Sequence, residues 1–277
     1  MKIVVIGGTG LIGSKLVSKL REHGHEAVPA SPNSGVNTLT GEGLAEVLKG
    51  ASVVVDVSNS PSFEEAEAMK FFTTATNNLI RYEKAAGILH HVALSVVGTD
   101  RLAERKPSDA EKTIRGYFRA KLMQEKLIAE SSIPYSIVHA TQFFEFVKSI
   151  ADASTSGTTV RVAPVLIQPM AADDVASAVG RVAVGSPVNG IVEVGGPQQF
   201  RLDEFVREGL RARNDSRTVV ADPAAGYYGV EVDERALVPD NDARLGEIHF
   251  DTWLKESAKP AVNTASPSAE KAVAAAR

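Results

Sequence analysis

The chain has 277 residues, 44% of them hydrophobic and 23% charged, and a formal net charge of −4. That size and balance suit a globular chain with one large core or two modest ones, and the mild acidity argues against a broad basic footprint for nucleic acid or an anionic membrane. It contains no cysteine, which excludes disulfides, thiolate metal ligands and cysteine nucleophiles. No stretch approaches a membrane span, and a strand starting at Lys2 leaves no room for a signal peptide, so the expected location is the cytoplasm.

Lys2 to Ile6 is a short run rich in β-branched residues, the composition of a strand buried on both faces of a parallel sheet. Gly7-Gly8-Thr9-Gly10-Leu11-Ile12-Gly13 follows, and apolar residues at Leu16, Val17 and Leu20 then continue at helical spacing. Strand, glycine turn and helix in that order predict a dinucleotide phosphate site. Gly7 allows the sharp turn, Gly10 lets the backbone approach a pyrophosphate, and Gly13 lets the helix lie close to the strand. The free N–H groups of the first helical turn face the anion, so Gly7, Thr9, Gly10, Leu11, Ile12 and Gly13 are the expected contacts. The stretch Gly8 to Lys15 reads GTGLIGSK, in which Ser precedes Lys. A P-loop needs the reverse order, so this is not one.

His25 to Ala30 predicts the second strand. An acid closing that strand would bond the adenosine ribose 2′-hydroxyl. Ala30-Ser31-Pro32-Asn33 contains none, which removes the group that favours NAD and repels a 2′-phosphate. Ser31 and Asn33 are candidate donors to that phosphate, although no Arg or Lys accompanies them and the stretch also reads as a plain turn. The expected cofactor is NADP, with NAD as the alternative.

Gly35 to Thr40 predicts a short third strand and Gly41 to Leu48 a brief helix. Ala51 to Val57 is a buried strand running into Ser58-Asn59-Ser60-Pro61. Small polar residues there lie where a nucleotide crosses the sheet, which makes Ser58 and Asn59 candidate contacts. Phe63 to Ala86 follows as a long helix closed by Gly87, and His90 to Val97 as a strand on which the two histidines point to opposite faces. Arg101 to Thr113 is a charged loop or irregular helix leading to a helix with Tyr117 to Ile128. Ile133 to His139 is a further strand, Asp173 to Val184 a helix begun by two acids, and Gly190 to Gly196 a last strand. This alternation predicts a doubly wound parallel α/β sheet over residues 1–197. A helix over Leu202–Arg213 and a strand at Thr218–Ala221 predict a small substrate lobe over residues 198–255. Residues 256–277, rich in Ala, Ser, Pro and Lys, predict a loosely ordered tail.

Three residues carry the chemistry. Ser95 stands near the carboxyl end of its strand, and Tyr117-Phe118-Arg119-Ala120-Lys121 sets Tyr117 and Lys121 one turn apart on one helical face. In such a pair the ammonium favours phenolate and lowers the tyrosine pKa from about 10. Tyr117 then passes a proton to a substrate oxygen as hydride arrives, and Ser95 polarises the same oxygen. Phe143, Phe144 and Phe146, with Tyr227 and Tyr228, either line an apolar substrate pocket or pack the core. His139 reads as a core or pocket-wall histidine, and no His spacing suggests a metal.

The GxxGxxG turn, Ser95, the YxxxK pair and the segment Ile133 to Phe144 together resemble an atypical short-chain dehydrogenase/reductase. The likeness is greatest to the NmrA-like and triphenylmethane-reductase-like group and covers about Met1 to Leu254. It implies an extended Rossmann fold and an NAD(P)-dependent reductase in which Tyr117 is the acid, Lys121 also holds the nicotinamide ribose and Ser95 orients the carbonyl. It further implies Thr141 as a cofactor contact, and Gln142, Phe143, Phe144 and Tyr227 as substrate contacts. Where the family usually has Arg-Pro after this strand, this chain has His139-Ala140. Many relatives in the group lack the tyrosine, so its presence favours an enzyme. The expected acceptor is a small carbonyl, enone, quinone or dye-like molecule. The alternatives are a nucleotide-sensing regulator without turnover, and an epimerase or dehydratase on a nucleotide sugar held by Arg207, Arg211 and Arg213. The expected partner is a small-molecule substrate, with no nucleic acid, membrane or metal; a homodimer is the commonest association for such chains.

Overall fold

The computed structural model describes residues 1–104, 112–228 and 230–257. Its first half runs β1 (Lys2–Ile6), α1 (Leu11–Glu22), β2 (Glu26–Ala30), α2 (Leu44–Leu48), β3 (Val53–Asp56), α3 (Glu65–Ala86), β4 (His90–Val96), α4 (Thr99–Glu104), α5 (Lys112–Ala129) and β5 (Tyr135–Ala140). The second half adds α6 (Val147–Ala153), β6 (Thr155–Ser156), β7 (Thr159–Val162), β8 (Leu166–Ile167), α7 (Ala172–Val184), β9 (Gly190–Gly195), β10 (Phe200–Arg201), α8 (Leu202–Ala212), β11 (Thr218–Ala221), β12 (Arg244–Leu245) and α9 (Phe250–Ser257).

Seven strands form one sheet in the order β12-β9-β5-β4-β3-β1-β2, with every neighbouring pair parallel. Parallel pairing needs helical crossovers, and these cover both faces. The alternation along β1 shows the division. Ile3 and Val5 pack with Leu16 and Val17 of α1 and Val175 and Val179 of α7, while Val4 and Ile6 pack with Leu44 and Leu48 of α2 and Leu79 of α3. Farther along that second face, Ile128 of α5 meets Ala93 and Ile137. The result is a doubly wound Rossmann-type sheet. Its order reverses at β1, with β2 to one side and β3 to the other, and a crevice opens there at the carboxyl ends of the strands.

The third strand expected at 35–40 does not form. Ser31 to Gly35 closes a 3₁₀ turn, with Gly35 in the left-handed region at φ 78°. Asn37 Oδ1 accepts the N–H of Leu39 at 2.9 Å and Thr40 Oγ1 that of Glu42 at 3.3 Å. Such local side-chain bonds compete with a strand ladder, and β2 is left at the sheet edge. The long helix ends as expected, with Gly87 left-handed at φ 71°.

Residues within 144–167 pack with the segment expected to form a small lobe over 198–255, and with α4 and α5. Phe144, Val147, Ile150, Val160, Val162 and Ile167 share a core with Phe205, Val206, Leu210 and Phe250. The strand expected at 218–221 forms, but in a separate sheet of order β11-β7-β6. The chain then returns to the main sheet, where β12 pairs with β9. Part of the charged segment, residues 105–111, and the tail from residue 258 onward lie outside the described residues. Among those described, no helix is long and apolar enough to cross a membrane.

Candidate cofactor and active site

The turn after β1 is built by backbone geometry. Gly7 sits at φ 75°, its N–H bonds Ala30 O at 2.9 Å, and its carbonyl takes the N–H of Gly10 at 2.9 Å. A Cβ on Gly13 would stand 2.1 Å from Gly7 O and 2.6 Å from Gly8 Cα, so only glycine lets α1 approach the turn this closely. Gly8, unremarked in the spacing argument, is equally confined, because a Cβ there would meet Pro29 Cα at 2.6 Å. Helix α1 starts at Gly10 with no side-chain cap and no acid in its first turn. Its first N–H groups therefore lack the usual carboxylate or hydroxyl partner, and the positive end of the helix faces the crevice. Thr9, Gly10 and Leu11 are exposed there, while Ile12 is buried against the sheet. At the end of β2, Ser34 N–H bonds the carbonyl of Ser31 at 2.9 Å. That leaves Ser31 Oγ buried without a partner, beside exposed Asn33. A cradle sterically closed to side chains, an uncapped helix and an orphaned hydroxyl one strand away fit a dinucleotide with its pyrophosphate on the turn.

Helix α5 carries the other half of the site. Gly116 lets it lie against α3, where a Cβ would stand 2.3 Å from Glu65 Cβ. The Tyr117 ring is then held edge-on by Phe63, Phe72 and Phe118 at centroid distances of 5.2, 5.8 and 5.7 Å. Its hydroxyl donates to Asn59 Oδ1 at 2.9 Å, at the carboxyl end of β3. Burial raises the Tyr117 pKa above its ordinary value. This corrects the expectation of a lowered one: the phenol keeps its proton.

Lys121 does not offset that burial. Its ammonium is buried and donates to Leu94 O at 2.8 Å and to Gln124 Oε1, over the Phe72 ring at 4.7 Å. Burial lowers its pKa to about 8, against the opposing pull of Asp56 and Glu125. Gln124 passes the chain of bonds to Asp56 Oδ2 at 2.9 Å, and Asp56 Oδ1 accepts both the N–H and the hydroxyl of Ser58 at 2.9 and 2.6 Å. Ser95 points the same way, donating to Glu125, whose Oε1 also meets His139 Nε2 at 3.0 Å. A hydroxyl that donates to a carboxylate has no second proton for a substrate oxygen, so the polarising role expected of Ser95 is not the one its geometry supports. Among the described residues, no hydrogen bond joins Ser95, Tyr117 and Lys121 to one another. Gln124 and Glu125 were missed in sequence, although polar residues on the sheet-facing side of this helix were the available signal.

The remaining expected contacts divide. Thr141 is buried, with its hydroxyl donated to Gln168 O at 2.7 Å. Gln142 is buried beside it. Phe143 is partly exposed and stacks on Phe146 at 5.3 Å. Phe144 is fully buried among Phe205, Phe250 and Trp253; it packs the core and does not line a pocket. Tyr227 packs edge-on against Tyr228 at 4.9 Å. Its phenol is pushed well above the ordinary range by burial first, then by Tyr228 and by Tyr117, so the two sides of the site meet there. Arg207 pairs with Asp203 at 3.1 Å, and Arg213 covers the Trp253 ring at 5.6 Å, so neither reaches toward the crevice as a diphosphate clamp.

A family model for NAD(P)H-binding domains matches residues 7–183. In structure the chain is similar to MoeE5 in complex with UDP-glucose and NAD, with a TM-score of 0.68 and 16% identity over 93% of this chain and 98% of that one. It is similar to a dTDP-4-dehydrorhamnose reductase from Clostridium acetobutylicum, with a TM-score of 0.65 and 17% identity over 92% and 98% of the two chains. It is also similar to the NADPH-dependent quinone oxidoreductase QOR2 of Escherichia coli, complexed with NADPH, with a TM-score of 0.60 and 19% identity over 79% and 78%. At such identities the likeness is one of fold. No curated protein matches the sequence.

Proposed function

The chain belongs to the NAD(P)H-binding family, whose model spans residues 7–183, and on that premise we propose that it is an NADP(H)-dependent reductase of a small carbonyl, enone, quinone or dye-like acceptor. The observation that carries this reading is Tyr117. It is a protonated phenol at the carboxyl edge of the sheet, fixed by three aromatic rings and by Asn59. Burial keeps the phenol protonated, so it has a proton to donate in the reductive direction.

The glycine turn and the start of α1 hold the pyrophosphate, and Ser31 and Asn33 face the adenosine ribose. The absence of an acid there supports the phosphorylated cofactor. When bound, the reduced cofactor supplies hydride to the substrate carbon. Tyr117 turns its O–H from Asn59 Oδ1, which holds it in the free protein, to the substrate oxygen and gives that oxygen its proton. Phe63, Phe143 and Tyr227 supply apolar surface for the acceptor. One of the structural neighbours is named a reductase and another an NADPH-dependent quinone oxidoreductase. The same reading keeps the protein in the cytoplasm with a small-molecule partner, as a homodimer.

Side-by-side calorimetric titration of NADPH, NADP⁺, NADH and NAD⁺ tests the first half. NADPH should bind at least tenfold more tightly than NADH, about 1.4 kcal/mol, whereas a preference for oxidised forms without turnover would favour a sensor. Tyr117→Phe tests the second half. It should bind NADPH like wild type and lose roughly a hundredfold or more in turnover; wild-type turnover in that variant removes Tyr117 as the acid.

A further inference from the structure

Gln142 stands two residues past the end of β5, at the carboxyl edge of the sheet. Its backbone is tied down, with the carbonyl accepting Met170 N–H at 2.8 Å. Its side chain is not. The residue is 6% exposed, and neither Oε1 nor Nε2 has a hydrogen-bond partner. Buried amides are normally satisfied on both atoms, so a doubly orphaned one calls for a partner that arrives from outside.

Position narrows what that partner is. Ser31 Oγ, just past the end of β2, is orphaned at the same edge. β1, β3 and β4 lie between β2 and β5, so the two groups stand four strand spacings apart, about 19 Å. The glycine turn lies between them. A dinucleotide with its pyrophosphate on that turn extends both ways, adenosine toward β2 and nicotinamide toward β5. Phe143, next to Gln142, packs against the cluster that contains Ile12 of the turn's helix, which brings the exit of β5 alongside the cofactor's path.

Chemistry narrows it further. A primary amide presents one acceptor and two donors in a plane. Another amide answers both at once, whereas a carboxylate or carbonyl answers only the N–H side. The nicotinamide ring carries a carboxamide. We propose that the Gln142 side chain pairs with the nicotinamide carboxamide, making Gln142 a cofactor-binding residue and not the substrate contact its sequence position suggested. This rests on the cofactor reading above and adds the group that seats the nicotinamide end.

The test is calorimetric and needs no turnover. Wild type and Gln142→Met are titrated with NADPH, with its 3-acetylpyridine analogue, in which a methyl replaces the amide NH₂, and with 2′-phospho-ADP-ribose, which lacks the ring. Wild type should bind NADPH at least tenfold more tightly than the acetylpyridine analogue. Gln142→Met should lose at least tenfold on NADPH, no longer distinguish the two cofactors, and bind 2′-phospho-ADP-ribose within twofold of wild type. Its ligand-free melting temperature should equal or exceed that of wild type, because an unsatisfied amide has been removed. The proposal is overturned if Gln142→Met keeps wild-type NADPH affinity, or if it weakens 2′-phospho-ADP-ribose equally. It is also overturned, without any variant, if wild type does not discriminate the acetylpyridine analogue. If wild type binds none of the three ligands, the cofactor reading itself fails and takes this one with it.

Discussion

Lys121 donates to the carbonyl of Leu94 and the side-chain oxygen of Gln124, while the Tyr117 phenol has its own partner in Asn59. Its charge offsets two buried carboxylates, Asp56 on β3 and Glu125 on α5 itself. Removing it leaves carboxylates in low dielectric without a counter-charge, which typically costs about 3–5 kcal/mol. Lys121→Met should therefore lower the unfolding free energy by about 3 kcal/mol or more in urea titration, in addition to any loss of cofactor affinity. A variant as stable as wild type with only its cofactor affinity reduced would return Lys121 to the purely ribose-holding role that the family resemblance implies. Ser95 makes the same point in a neutral group: its partner, Glu125, decides which way its proton faces.

Helix α1 and its turn separate two demands that the glycine spacing combines. Gly13 is confined by backbone on two sides, Gly7 O and Gly8 Cα, whereas a Cβ on Gly10 would find only Gly7 O, at 3.3 Å. Gly10 also has φ −80°, which any residue adopts. Gly13→Ala should force the helix off the turn, at a cost of about 1–3 kcal/mol, and lose cofactor binding as well. Gly10→Ala should change stability by no more than about 0.5 kcal/mol and still weaken NADPH binding at least tenfold, because its methyl group occupies the approach to the phosphates. Equal stability loss in the two variants, read from thermal melts, would show that Gly10 serves the turn and not the ligand. At the start of α7, Asp174 accepts the N–H groups of Glu247 and Ile248 at 3.0 and 2.8 Å. Glu145 accepts Ala172 N–H and Trp253 Nε1–H, each at 3.2 Å. These bonds fasten the C-terminal segment to the start of α7 and to the stretch that follows β5.

Stability of the entire chain should depend on pH through two adjacent histidines on central strand β4. His90 is buried against Ser136, with burial first and the neighbouring His91 second lowering its pKa from 6.5 to about 4. Between those values the unfolded chain binds a proton that the folded chain does not, so the associated stability is present above pH 6.5 and is lost as pH falls toward 4. The full loss is on the order of 3 kcal/mol. His91 runs the other way. Burial alone would lower its pKa, but the carboxylate of Glu83, with both oxygens 2.9 Å from Nδ1, raises it. Its contribution is full below pH 6.5 and is lost as pH rises through the folded-state value. Unfolding free energy should therefore be greatest near pH 6.5, and His90→Gln should flatten the acid side alone. Denaturant titrations at pH 4.5, 6.5 and 8.5 measure this; a wild type as stable at 4.5 as at 6.5 would contradict the neutral burial of His90.

The sequence determined by itself the parts whose physics is local. The β-branched run of Lys2 to Ile6, the spacing of Gly7, Gly10 and Gly13 and the left-handed stop at Gly87 each answer a steric demand made by residues a few positions away. They sufficed for the doubly wound sheet, the tight glycine turn after β1 and the one-turn spacing of Tyr117 and Lys121. The tertiary structure alone decided where protons and buried charges point, because those choices fall to whichever polar group lies across the sheet. Tyr117 finds Asn59 across 58 positions and Ser95 finds Glu125 across 30. Phe144 is taken by a core assembled from both ends of the second half, and β12 is drawn back to pair with β9 from 50 positions away. The expected strand at 35–40 failed for a local reason instead. Its hydrophobic pattern permitted a ladder, but Asn37 and Thr40 satisfied the backbone locally. Desolvation makes the long-range pairings matter, and no local pattern encodes which distant residue will exclude the water.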